Sequence, residues 1–176
     1  MDFKSYNYSE KERSTLLNSI TVICDSREQS NKHITDWFDT KSIPHISQKL
    51  DYGDYTFKIP TNVELGINRD LYFDNDIVIE RKNSLVELSG NIAQERERFE
   101  REWLRFRDCK KILLIENGSY DSILDGRYNT LLKSKSYIAS ILTFKYRYNI
   151  DIQFIGSKWT AQYIYSTFYY FLREKL

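Results

Sequence analysis

Cysteine is nearly absent: Cys24 and Cys109 are the only two in 176 residues, and they offer neither a disulfide framework nor the paired spacing of a zinc site. Histidine is as scarce, and His33 and His45 are too isolated to form a ligand pair. With two prolines and no low-complexity tract, no Pro-rich linker divides the chain. No apolar run is long enough for a membrane span, and no signal-peptide core stands near the start. These absences give the expectation of an intracellular, cytoplasmic protein with no membrane partner. Charge of one sign is also missing: 26 basic and 25 acidic residues leave +1, so any affinity for nucleic acid must come from local clustering. What is plentiful is apolar material, 41% of residues with 15% aromatic, which argues against disorder and suffices for one ordinary core.

Hydrophobic periodicity places strands at 21–25, 45–50, 54–59, 76–82, 111–116 and 150–155. Helices are expected near 10–18, 30–40 with Ser30 as cap, 84–108 with a bend at Ser89-Gly90-Asn91, 133–148 and 159–174. Strands interspersed with helices imply an α/β domain, a mixed central β-sheet flanked by helices. Residues 1–19 read as an N-terminal arm and 20–176 as a single domain. The stretch 61–70 exceeds what a hairpin needs and suggests an added strand pair or a loop; Asp70, Asp74 and Asp76 read as solvated turn residues.

The most informative run is Asp76-Ile77-Val78-Ile79-Glu80-Arg81-Lys82-Asn83, three β-branched residues leading into a charged triplet. Side chains alternate along a strand, so Glu80 and Lys82 share a face with Val78 while Arg81 points the other way with Ile77 and Ile79. A carboxylate and an ammonium fixed side by side suit a metal-dependent phosphodiesterase. Taken alone, the triplet reads more simply as a strand-edge ion pair of little energetic value; its surroundings reverse that reading. Asp54 after Gly53 and Asp25 after Thr21-Val22-Ile23-Cys24 likewise stand at strand ends. Converging carboxylates repel unless a hard cation sits among them, and oxygen ligands suit Mg²⁺ or Mn²⁺. Glu28 is either an outer member of this group or a solvated residue near a helix start.

The stretches Val22-Ile23-Cys24-Asp25-Ser26-Arg27-Glu28, Gly53-Asp54-Tyr55, Glu80-Arg81-Lys82 and Glu97-Arg98-Phe99 resemble, in order and setting, the XPF-type nuclease domain. That family is a branch of the PD-(D/E)XK nucleases, and compact phage- or prophage-like members are the nearest in character. The resemblance implies a restriction-endonuclease-like fold and a Mg²⁺-dependent endodeoxyribonuclease acting on branched or flapped DNA. It makes Asp54 and Glu80 metal ligands, Lys82 the catalytic lysine, and Asp25 and Glu28 supporting acids, with Asp25 also reaching the metal. Arg27 and Arg81 become phosphate or structural contacts. One position departs from the family pattern. Val86 stands where the family has an Asp, with Glu87 just after it in Ser84-Leu85-Val86-Glu87, which also matches a capping box.

The charged helix places Ile92, Phe99, Trp103 and Phe106 on one stripe, with five arginines, Arg107 among them, alternating with acids elsewhere. Most of these charges read as a solvated, ion-paired face; Arg96 and Arg98 are the candidates for DNA phosphates. Lys133 and Lys135 open the next helix, as a phosphate contact or as exposed lysines beside a Ser cap. Phe144 and Tyr148 fit a core better than a base-stacking platform. The final helix is apolar on most sides, so it must lie deep or pair with a second copy in a homodimer. Relatives that add a helix-hairpin-helix domain have glycine-containing hairpins this sequence lacks. Two rival functions follow: a DNA-binding protein that cleaves poorly, with Val86 as its trace, or a phage-type factor that blocks a host defence complex. If phage-encoded, it would act in the host cytoplasm.

Overall fold

The computed structural model describes residues 7–105 and 109–176; Phe106 and Arg107 lie outside the described residues. In chain order the elements are α1 (Glu10–Asn18), β1 (Thr21–Asp25), α2 (Lys32–Thr40), β2 (His45–Gln48), β3 (Tyr55–Ile59), β4 (Leu71–Tyr72) and β5 (Ile77–Lys82). There follow α3 (Leu85–Ala93), α4 (Arg96–Arg105), β6 (Lys110–Glu116), α5 (Tyr120–Leu124), α6 (Ser134–Tyr148), β7 (Ile150–Ile155) and α7 (Ser157–Lys175). The strands form one mixed sheet in the order β2-β1-β3-β5-β6-β7, with β4 paired to β3.

Both faces of this sheet are covered, which is why β1 and β6 read as nearly unbroken apolar runs. On one face α1, α2 and α7 bury Leu16, Ile34, Phe38 and Phe168 against Phe57, Ile77 and Ile79. On the other, α3, α4 and α6 bury Leu88, Ile92, Phe99, Trp103, Ile141 and Phe144 against Val78, Leu113 and Ile115. Strand β5 contributes alternate residues to the two cores, so the parity of its last three residues is fixed by burial. Parallel pairing of β5 with β6 and of β6 with β7 brings the carboxyl ends of these strands to one edge, the usual place for ligands in open α/β sheets.

Several details differ from expectation. The long charged helix is two helices, α3 and α4, parted at Gln94 and Glu95 rather than bent at residues 89–91. Gly90 stays inside α3, and its carbonyl accepts the amides of both Gln94 and Glu95 (2.8 and 3.2 Å), which closes the helix one turn later. Helix α2 is capped by the backbone of Asn31 with no side-chain bond, not by Ser30. Segment 61–70 holds a 3-10 turn (Val63–Leu65), and Asp70 is ion-paired with Lys58 at 2.7 Å rather than solvated. Helix α1 carries a Ser9–Glu12 capping box and sinks Leu16 and Leu17 into the first core. In α7 a four-residue repeat (Thr160, Ile164, Phe168, Leu172) is fully buried, while Trp159 and Tyr170 remain exposed. Phe144 and Tyr148 are core residues.

Candidate active site

At the carboxyl end of β5 the chain assembles a cleft from four elements. Gly53 adopts a left-handed φ of 71°, which L side chains rarely tolerate, and this turn delivers Asp54 to the start of β3. The Asp54 amide donates to the Ile79 carbonyl (2.9 Å) and its carbonyl accepts the Asp25 amide (2.8 Å), tying β1, β3 and β5 together at this edge. The Arg81 amide then donates to Asp54 Oδ2 at 2.7 Å, holding that carboxylate beside Glu80. As the strand alternation requires, Glu80 and Lys82 project together, with Lys82 Nζ 2.8 Å from Glu80 Oε1. Lys82 Nζ also lies 5.4 Å from the centre of the Phe99 ring and 3.7 Å from Glu87 Oε1. Asp54, Glu80, Lys82, Arg98 and Glu102 all line one cleft of about 240 Å³.

Electrostatics there are strained in a particular way. Burial pushes the Asp54 carboxyl well above the usual carboxylate range, and the nearby Glu80 charge pushes it further, against the pull of the Arg81 amide and Lys82. Burial works against the Lys82 ammonium too, but the attraction of Glu80, its hydrogen bond, and the charges of Asp54 and Glu87 outweigh it and raise the lysine. Glu102 is also raised, by burial first and by Glu80 second. Among the described residues no donor hydrogen-bonds Asp54 Oδ1 or Glu80 Oε2. Two hard oxygens facing a cleft, on carboxylates whose proximity is unfavourable without a counter-charge, fit a divalent cation such as Mg²⁺ or Mn²⁺.

Residues 24–167 match the ERCC4 domain. The chain belongs to the ERCC4 domain family. Its fold is similar to that of XPF from Aeropyrum pernix, with 18% identity and a TM-score of 0.63 over 87% of this chain and 65% of that one. It is similar as well to XPF from Aeropyrum pernix in a complex with DNA, at 17% identity and TM-score 0.60, over 88% of this chain and 65% of that one. This ERCC4 domain therefore spans less than two thirds of the length of those archaeal chains. Among curated proteins none matches it in sequence. Its mixed sheet flanked by helices is the fold of those XPF structures.

The remaining expected residues fall into distinct places in this ERCC4 domain. Asp25 is buried, 2% exposed, and both of its oxygens are occupied. Oδ1 accepts the Arg27 amide and Nε (2.7 and 2.9 Å), and Oδ2 accepts Arg27 Nη2 and the Leu50 amide (2.7 and 3.0 Å). Burial alone would raise this carboxyl, yet those bonds hold it below the ordinary value. Consistent with that, no three acidic, histidine or cysteine side chains converge at metal-ligand spacing among the described residues, so the expected trio of Asp25, Asp54 and Glu80 is not assembled. Asp25 instead holds Arg27, whose side chain is largely exposed on the cleft rim.

Arg81 departs most from its expected DNA contact. Its side chain is 3% exposed, on the opposite face of the sheet from Lys82, with Nε and Nη2 each 3.0 Å from the Glu116 carboxylate. Glu28 lies 3.4 Å from the same guanidinium and accepts the Ser30 amide, and His33 Nε2 is 2.9 Å from Glu116 Oε1. A buried guanidinium so enclosed cannot reach a phosphate. Arg96 pins α4 to α6, with Nη1 donating to Ser140 Oγ (3.1 Å) and the guanidinium over the Phe144 ring, whereas Arg98 is two-thirds exposed at the cleft. Lys133 and Lys135 are exposed at the start of α6, and the Tyr137 hydroxyl donates to the Leu85 carbonyl, which sets that turn beside the start of α3. Sequence reasoning missed Glu102. It lies three residues after the buried Phe99, hence on the same side of α4, and that spacing was the available signal.

Proposed function

We propose that this ERCC4 domain is a metal-dependent, structure-selective endonuclease that hydrolyses phosphodiester bonds in branched or flapped DNA. The observation that carries the reading is the pairing of Asp54 and Glu80, each with one oxygen open to the cleft, beside a Lys82 ammonium fixed at 2.8 Å from Glu80. Asp54 and Glu80 would hold Mg²⁺ or Mn²⁺, which supplies Lewis-acid polarisation of a phosphate oxygen and a water made acidic enough to attack at neutral pH. Lys82 orients the attacking water and steadies negative charge as it develops on the phosphate, an effect strengthened by its burial. Asp25 holds Arg27 on the rim, where it and Arg98 meet flanking phosphates. Lys133 and Lys135 add charge at the same edge of the sheet. Glu28 supports the site from behind, through Arg81.

Val86 supports a second reading, DNA binding with impaired cleavage, because it is about half exposed and adds no carboxylate at the family's acidic position. One experiment separates them: labelled linear, flapped, forked and four-way DNA incubated with Mg²⁺, Mn²⁺ or EDTA, with parent and Lys82→Ala compared. Metal-dependent cutting of flapped or forked DNA, lost in Lys82→Ala, supports the nuclease. Binding without cutting in any metal supports the alternative. Self-association is a further part of the proposal, carried by exposed aromatics on the last two helices, Tyr146 at 78% and Tyr170 at 57%. A strict monomer by light scattering at high concentration would remove it.

A further inference from the structure

We infer that Glu87 is a positioning residue for Lys82, holding its ammonium in the cleft from a direction independent of Glu80. The inference rests on the nuclease reading above and names the part of the site that keeps the lysine in place. The start of α3 follows β5 after only two residues, so its first turn lies against the end of that strand. Ser84 Oγ accepts the Glu87 amide (3.2 Å), which caps the first turn of α3, while the Glu87 carboxylate reaches back toward the strand on its own bond to the Asn83 amide. In an ordinary capping box that carboxylate would bond the cap residue's own amide. Here Glu87 Oε2 accepts the Asn83 amide instead (2.9 Å), one residue earlier, and Oε1 is brought to 3.7 Å from Lys82 Nζ.

The carboxylate thus holds the backbone immediately after Lys82 with one oxygen and faces the ammonium with the other. Lys82 is enclosed by Glu80, by Glu87 and by the Phe99 ring. Glu80 is also a proposed metal ligand, so its charge is shared once a cation binds. Glu87 has no such second duty, and its pull on the ammonium persists in the loaded site. The lysine of this chain is therefore held by an acid on the next turn of chain even though Val86 itself offers none.

Glu87→Gln tests this because the amide keeps an oxygen for the Asn83 N–H and nearly the same volume while losing the charge. The expected result is a kcat on flapped DNA about tenfold below the parent with KM within about twofold, the scale of a misplaced catalytic group. Glu87→Asp, which keeps the charge, should retain kcat within about threefold. Ser84→Ala, which weakens the cap alone, should lower the thermal midpoint and leave kcat near the parent value. Parent-like kcat in Glu87→Gln, or a loss matched by Ser84→Ala, overturns the inference. If the parent fails to cut any DNA, the nuclease reading falls, and ¹⁵N-lysine ammonium NMR still decides the position of Lys82. A sharp Lys82 signal in the parent that broadens in Glu87→Gln supports the contact, and identical signals in both refute it.

Discussion

Replacing Arg81 with methionine removes a guanidinium that lies 3% exposed between Glu116, Glu28 and the Ser30 carbonyl. The Glu116 carboxylate, itself 3% exposed in its side chain, loses two hydrogen bonds of 3.0 Å and its main counter-charge. Breaking a buried pair from one side costs about 3–5 kcal/mol, because the remaining charge stays desolvated. His33 Nε2, at 2.9 Å, still reaches Glu116 Oε1, which places the expected loss at the lower end, about 3 kcal/mol. For a domain of this size that corresponds to a fall in thermal midpoint of roughly 6–12 °C. Urea and thermal unfolding of Arg81→Met, Glu116→Leu and the double variant give the coupling directly. The double variant should recover most of the loss, since an apolar pair of similar volume replaces a buried ion pair at little cost. DNA affinity of folded Arg81→Met should stay near the parent value. A stability loss below about 1 kcal/mol together with clearly weakened DNA binding would refute the structural placement of Arg81.

Three further outcomes follow from the same geometry. The Asp54 carboxyl titrates above its unfolded value, so across that window the folded chain holds the extra proton and stability falls as pH rises; metal-free Asp54→Asn should abolish that fall and raise the thermal midpoint at pH 8 by about 2–4 °C. Asp25 has the opposite sign: its depressed carboxyl contributes stability above the ordinary carboxylate range that is lost as pH falls through the folded value. Arg27→Ala, which leaves Asp25 only the backbone amides of residue 27 and Leu50, should cost about 1–3 kcal/mol at pH 7 and flatten that acid loss in urea titrations. Arg98→Ala should weaken binding to flapped DNA several-fold and lower the slope of log affinity against log salt by about 1, measured by fluorescence anisotropy.

Much of this was legible in the residues, for identifiable reasons. The Ile77-Val78-Ile79 run gave β5, and a side-chain period of two gave the shared face of Glu80 and Lys82 and the opposite face of Arg81. What parity could not give was the partner of Arg81, because Glu116 comes 35 residues later and meets it only through the β5–β6 register. Asp25 illustrates a second limit: an acid at a strand end looks the same in sequence whether its oxygens face a cleft or an arginine two residues on. In α4 nearly every polar position is charged, so nothing in composition sets Glu102 apart from Glu97 or Glu100; only the rotation fixed by Phe99 and Trp103 brings it to the cleft. A glycine marks the weak point of this stretch in sequence, yet the break between α3 and α4 comes after it, at Gln94 and Glu95. Packing of Leu88, Ser89 and Ile92 holds that turn helical, against a glycine cost of about 1 kcal/mol.

The central claim is that Asp54 and Glu80 together hold a divalent cation, and calorimetric titration of Mn²⁺ into the metal-free protein at pH 7.5 tests it without requiring turnover. The parent and Lys82→Ala should each bind the ion, while Asp54→Ala and Glu80→Ala, folded by circular dichroism, should each lose it. Binding that survives both carboxylate substitutions, or no heat of binding in the parent, would contradict the account.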